Sequence, residues 1–126
     1  MKYLGVDWGL KKIGLAYSEG KLASPLTSVS ATTLASGTKQ IQELVKKEKI
    51  DLVVMGQPEG KMGKIVDKVA KTLQKLGLTV VLTDETLSTQ EAKQRMIEMG
   101  LGQKARREDN SVAATIILQR YLDDHA

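Results

Sequence analysis

The chain has 126 residues, a formal net charge of +4 and no cysteine, and 41% of its residues are hydrophobic. Its length suits a single domain covering residues 1–126, and its apolar runs are too short to span a bilayer. The lack of cysteine excludes disulfides and thiolate metal sites, which leaves oxygen ligands and hard cations such as Mg²⁺ or Mn²⁺.

The charge and the aromatic content bear on the kind of partner. A positive net charge mildly favours a polyanionic partner such as nucleic acid. Only 3% of the residues are aromatic, which disfavours a platform for stacking single-stranded bases. We therefore expect recognition of backbone and shape. Because Asp7 comes before any long apolar region, we expect no export signal at the start and a location in the cytoplasm.

The sequence predicts strands in the first part of the chain. Residues 2–7 and 13–17 are short β-favouring runs, and the turn-like residues 8–12 between them predict a hairpin. Residues 24–30 are rich in small and β-branched side chains and predict a third strand.

Helices and buried strands alternate after that point. An amphipathic pattern predicts a helix over about residues 38–48, and the apolar run 50–55 predicts a central strand. A second helix is marked by Ile65, Val69, Leu73 and Leu76, with Gly77 at a position suited to a left-handed C-cap. Residues 78–82 predict another buried strand.

The last third of the sequence predicts two helices joined by a loop. Ser88 and Glu91 form a capping-box pattern for a helix that runs to about Met99. Residues 100–108 combine glycines with charges and predict a loop, and about residues 109–122 predict a final helix. This order of elements implies a mixed α/β sheet with right-handed crossovers.

Two acidic residues follow predicted strands. Asp7 ends the first strand and Glu85 comes just after a later one, and sites in open α/β sheets collect at the carboxyl ends of strands. Carboxylates holding a hard cation would neutralise phosphate charge and lower the pKa of a coordinated water, as phosphodiester hydrolysis requires. Spacing alone also allows a turn role for Asp7 and a solvated strand end for Glu85.

Four blocks of sequence resemble the YqgF/RuvX family, in the family's order. They are residues 4–16 (LGVDWGLKKIGLA), 53–58 (VVMGQP), 84–89 (DETLST) and 113–122 (AATIILQRYL). The resemblance implies a ribonuclease H-like fold, with a mixed five-stranded sheet and helices on both faces. It also implies a nuclease that processes the 5′ end of precursor 16S ribosomal RNA, or, in the older proposal, a Holliday junction resolvase.

The resemblance further implies that Asp7 and Glu85 are catalytic metal ligands for Mg²⁺ or Mn²⁺. The family's third carboxylate stands three residues before the Ala-Ala pair, where this chain has Asn110. Asp109 lies one residue earlier, and one residue turns a helical side chain by about 100°. Either Asp109 or Asn110 is a candidate metal ligand, and either is equally suited to cap the helix.

Basic residues near these acids are candidates for binding nucleic acid. They are Lys11 and Lys12 in the hairpin turn, and Lys104, Arg106 and Arg107 in the predicted loop. Five lysines of the second predicted helix form a stripe, for which an ordinary solvated face is the alternative. Trp8 is next to Asp7, but packing against a helix is the more frequent fate of a lone tryptophan.

Three functions remain open. The first is a metal-dependent hydrolase acting on structured RNA, as a monomer or weak homodimer. The second is a resolvase of branched DNA, for which a dimer is expected because symmetrical cutting needs two sites. The third is a binding module whose catalysis is impaired by Asn110, and it would bind nucleic acid with steep salt dependence but without cleavage.

Overall fold

A computed structural model describes residues 1–84 and 110–125, with only the backbone of Asn110. The strands are β1 (Tyr3–Trp8), β2 (Lys12–Ser18), β3 (Ser24–Ser30), β4 (Leu52–Gln57) and β5 (Val80–Asp84), and the helices are α1 (Leu34–Glu48), α2 (Lys61–Lys75) and α3 (Asn110–Asp124). No helix in these ranges is long and apolar enough to cross a membrane. The helix predicted for residues 88–99 and the loop predicted for residues 100–108 lie outside the described residues.

The five strands form one mixed sheet in the order β3-β2-β1-β4-β5. The predicted hairpin is confirmed: β1 pairs antiparallel with β2, and the Gly9 amide donates to the Lys12 carbonyl over 3.0 Å to close the turn. β4 and β5 join in parallel beside β1. The carboxyl ends of β1, β4 and β5 therefore lie at one edge of the sheet, called here the carboxyl edge.

Helices cover both faces of the sheet, as predicted. On one face, α1 and α2 bury a core that includes Leu4, Val6, Ile41 and Leu73. On the other face, α3 contributes Ala114, Ile117, Leu118 and Leu122 to a second core with Val54 and Ala16. Because side chains alternate along a strand, each residue of β1 is assigned to one of these two faces.

Helix α1 begins at Leu34, four residues before the predicted start. The Thr33 hydroxyl caps it by accepting from the Ser36 amide over 3.1 Å. The helix includes Gly37. A Cβ at this position would collide with the Trp8 ring, so the packing requires a glycine there. Trp8 is only 7% exposed, which confirms that it packs against a helix.

The parallel strands β4 and β5 begin and end two residues later than predicted. Pairing decides these limits: Val53 lies opposite Val80, and Gln57 opposite Asp84. The predicted glycine C-cap after α2 is confirmed in its conformation, since Gly77 has a φ of 93°. Helix α2 itself starts at Lys61.

Replacing Gly5 with alanine should destabilise the fold by about 1–3 kcal/mol. A Cβ at this position would lie 2.7 Å from the Leu118 Cβ and 2.8 Å from the Ala114 carbonyl oxygen. Because both contacts are to the interior of α3, the helix must move away from the sheet. Urea unfolding of the two proteins measures the difference, and an unchanged midpoint would show that α3 packs less closely than described.

Candidate active site at the carboxyl edge

Asp7 lies on the face of the sheet that α3 covers. It alternates with Gly5, whose position faces α3, whereas Val6 and Trp8 belong to the opposite core. Asp7 is half-buried at the carboxyl edge. The sequence-based placement of Asp7 at the end of the first strand is correct to within one residue, since β1 ends at Trp8.

Glycines flank Asp7 on both neighbouring strands. In β2, Gly14 is its paired residue. In β4, the register that sets Val6 opposite Met55 brings Gly56 next to Asp7. The residues directly beside Asp7 on these two strands therefore carry no side chain.

Thr83 completes this row of residues across the sheet. It pairs with Gly56 in the β4–β5 ladder and shares the face of Asp7. Two strand spacings separate Thr83 from Asp7, roughly 10 Å. Sequence reasoning missed Thr83 and both glycines, because only the register between strands distant in sequence brings these residues beside Asp7.

The direction of α3 brings its first turn toward Asp7. Tyr3, at the start of β1, contacts Tyr121 near the end of the helix, with ring centroids 6.4 Å apart. Gly5, further along the strand, packs under Leu118 and Ala114. Helix α3 therefore runs antiparallel to β1, and its amino end reaches the carboxyl edge.

The first two turns of α3 contain three polar residues, Asn110, Ser111 and Thr115. Ser111 and Thr115 are fully buried, and the Thr115 hydroxyl donates to the Ser111 carbonyl over 2.6 Å. Asn110 is the first residue of the helix and stands four residues before Ala114. Four residues turn a helix by about 400°, which is about 40° more than one full turn. The position of Asn110 is therefore on nearly the same side of the helix as that of Ala114, toward the sheet.

The predicted basic residues of the hairpin differ in placement. Both Lys11 and Lys12 are exposed. Lys12 alternates with Gly14 in β2 and so shares the face of Asp7, whereas Lys11 lies in the bend and its carbonyl accepts from the Ala31 amide over 3.0 Å. Of the two, Lys12 is the better placed to contact a ligand beside Asp7.

The remaining predicted site residues lie outside the described residues. They are Glu85, Lys104, Arg106, Arg107 and Asp109. Glu85 directly follows Asp84, the last residue of β5, and adjacent Cα atoms are about 3.8 Å apart.

The donor set at this edge suits a hard cation. Asp7 offers a carboxylate and Thr83 a hydroxyl, and both are oxygen donors of the kind that Mg²⁺ and Mn²⁺ take. Within residues 1–84 and 110–125, no group of three or more His, Cys, Asp or Glu side chains could hold a metal ion. Asp7 therefore has no such group of acidic, His or Cys neighbours within these ranges.

Comparison with known proteins points to one family. The family model described as "RuvX: Holliday junction resolvase" matches residues 1–124. A protein of Caldanaerobacter subterraneus named "Putative pre-16S rRNA nuclease" is 38% identical over 98% of this chain and 96% of its own length. A protein of the same name from Myxococcus xanthus is 37% identical over 99% of this chain and 89% of its own length.

Two resolvases of known structure share this fold. RuvC of Thermus thermophilus superposes with a TM-score of 0.68 at 16% identity, covering 99% of this chain and 96% of its own. The Holliday junction resolvase of fowlpox virus gives a TM-score of 0.65 at 10% identity, with both chains covered completely. At these identities the likeness concerns the fold alone, and it confirms the expected ribonuclease H-like class.

Proposed function

Because the chain belongs to the RuvX family, we propose that it is a metal-dependent nuclease that processes the 5′ end of precursor 16S ribosomal RNA in the cytoplasm. The observation that carries the proposal is the position of Asp7. Its carboxylate lies at the carboxyl edge between Gly14 and Gly56, facing the side on which α3 begins. Relatives of the chain that carry a pre-16S rRNA nuclease name support the choice of RNA.

Asp7 and Glu85 hold the metal in this proposal, together with a ligand from the start of α3. A divalent cation bound there would neutralise phosphate charge and lower the pKa of a coordinated water. Of the two candidates for the third ligand, we favour Asn110 over Asp109. Helix α3 is already helical at Asn110, and the position of Asn110 is on the side of the sheet.

The chain's basic residues position the substrate. Lys12 shares the face of Asp7 and is exposed, so its ammonium group is suited to a phosphate next to the cleaved bond. Lys11, in the same turn, contacts the phosphate backbone of the substrate further from Asp7. Lys104, Arg106 and Arg107 precede α3 in sequence, and arginine binds phosphate in a bidentate manner.

Cleavage of two substrates in parallel tests the proposal. The wild-type protein is incubated with an RNA containing the 5′ leader of precursor 16S rRNA and with a four-way DNA junction, each in Mg²⁺, in Mn²⁺ and in EDTA. We expect metal-dependent cuts in the RNA leader, and no cuts in EDTA. Preferred cleavage of the junction would favour the resolvase function instead, and no cleavage of either would favour the binding module.

A further inference from the structure

Five lysines occupy one side of α2. They are Lys61, Lys64, Lys68, Lys71 and Lys75, and every one of them is exposed. At 100° per residue their positions fall within an arc of about 80°. The buried residues of α2, among them Val66, Val69 and Leu73, lie on the opposite side. We call this arc the lysine face.

The lysine face holds the chain's whole excess of positive charge. Helix α2 has five lysines and one acidic residue, Asp67, so its formal charge of +4 equals that of the entire protein. The remainder of the chain is therefore formally neutral. A positive potential concentrated on one exposed helix attracts a polyanion to that place.

This charge pattern is unfavourable for the helix itself. Lysines three and four residues apart repel one another along the whole face. Lys61 and Lys64 also lie in the first turn, which contains no acidic residue and where the helix dipole disfavours cations. Within the described residues, the ion pair recorded for these lysines joins Lys71 to Asp67 at 3.0 Å between exposed side chains, and such pairs contribute little stability.

The lysine face starts at the carboxyl edge, on a helix that covers the face of the sheet opposite to α3. Helix α2 begins four residues after β4 ends at the carboxyl edge. A hollow of about 390 Å³ lies at this junction, and Gln57, Pro58 and Lys64 are among the residues that line it. From Lys61 to Lys75 the face extends about 21 Å away from that edge.

We propose that the lysine face of α2 binds the phosphate backbone of double-stranded RNA adjoining the cleavage site. The inference rests on the proposed function. It concerns the part of the substrate that extends beyond the active site. A length of about 21 Å along the axis of B-form DNA corresponds to roughly six phosphates of one strand, and the shorter rise of an A-form RNA duplex places at least as many there. Helix α2 has no aromatic residue, so it offers no stacking surface for single-stranded bases.

Two triple variants with the same change of charge test this binding. The test variant is Lys64→Gln, Lys68→Gln and Lys75→Gln, and the control is Lys39→Gln, Lys46→Gln and Lys47→Gln on α1, where all three lysines are exposed. Binding to a 20-base-pair RNA duplex is measured in EDTA over a range of salt concentrations, so that cleavage plays no part. Lysine contacts to phosphates make binding salt-dependent and independent of sequence.

The test variant should bind the duplex at least about tenfold more weakly near 0.1 M salt, and its log-log salt slope should fall by about 3. The control should keep both the affinity and the slope of the wild type. Equal losses in the two variants would mean that only net charge matters, and would overturn the proposal. Tighter binding of the wild type to a DNA duplex of the same sequence would overturn the choice of RNA.

Thermal unfolding separates binding from folding. The test variant should unfold at the same temperature as the wild type or at a higher one, because lysine–lysine repulsion is relieved. Weaker binding by a protein that is at least as stable cannot come from unfolding. If the wild type binds through α2 but cuts no RNA, the proposed function fails and the binding surface stands. If it cuts RNA and the test variant binds like the wild type, the binding surface alone fails.

Discussion

Replacing Asp7 with asparagine should reduce metal-dependent cleavage of RNA by at least about 1,000-fold. Asparagine keeps the size of the side chain but removes the negative charge that would hold a divalent cation. Within residues 1–84 and 110–125, no group of three or more His, Cys, Asp or Glu side chains could hold a metal ion, so this part of the chain offers no alternative cluster of acids. Initial rates at saturating Mg²⁺, for wild type and variant on the same RNA leader, give the ratio.

The matched control is Asp124→Asn, which makes the same change of charge. Asp124 is exposed at the end of α3, whereas the start of that helix lies at the carboxyl edge. The control should cleave at the wild-type rate. Both variants should retain a cooperative unfolding transition, because neither substitution changes the volume of a core residue. An Asp7→Asn protein that still cleaves at the wild-type rate would remove the proposed site.

Replacing Asn110 with aspartate should lower the Mg²⁺ concentration required for half-maximal cleavage by between about 10- and 100-fold. The physical reason is the charge of the third ligand. An amide oxygen donates to a cation without neutralising it, whereas a carboxylate adds a negative charge at the same position. The measurement is a Mg²⁺ titration of the cleavage rate, for the variant and the wild type.

Asp109→Asn distinguishes the two candidate ligands. If Asn110 occupies the third position, this substitution should leave the Mg²⁺ requirement nearly unchanged. If Asp109 is the ligand, Asp109→Asn should raise the requirement strongly and Asn110→Asp should have little effect. The second pattern would show that the chain before α3 turns Asp109, and not Asn110, toward Asp7.

The described elements follow closely from local sequence patterns. The sequence predicted five strands and four helices, and the structure contains the five strands and the three helices that fall within its described residues. The first and last residues of these elements were less predictable. The start of α1 was missed because Gly37 resembles a helix breaker, although contact with Trp8 is what requires a glycine there. The limits of β4 and β5 were shifted because pairing between strands determines them.

The candidate site, too, could be predicted only in part. Local patterns and the family resemblance identified Asp7 as a candidate, and its position near the end of β1 was predictable from the strand pattern. The roles of Glu85, Asp109, Lys104, Arg106 and Arg107 stay predictions, since these residues lie outside the described part of the chain.

The sequence by itself determined the elements, their order and the spacing of the α2 lysines, because these depend on neighbours a few residues apart. Only the tertiary structure decided that Gly14 and Gly56 flank Asp7 and that α3 runs antiparallel to β1. It also decided that the lysine face begins at the carboxyl edge. These arrangements depend on strand register and on close packing between segments remote in the chain, and side-chain periodicity within one segment carries no record of either.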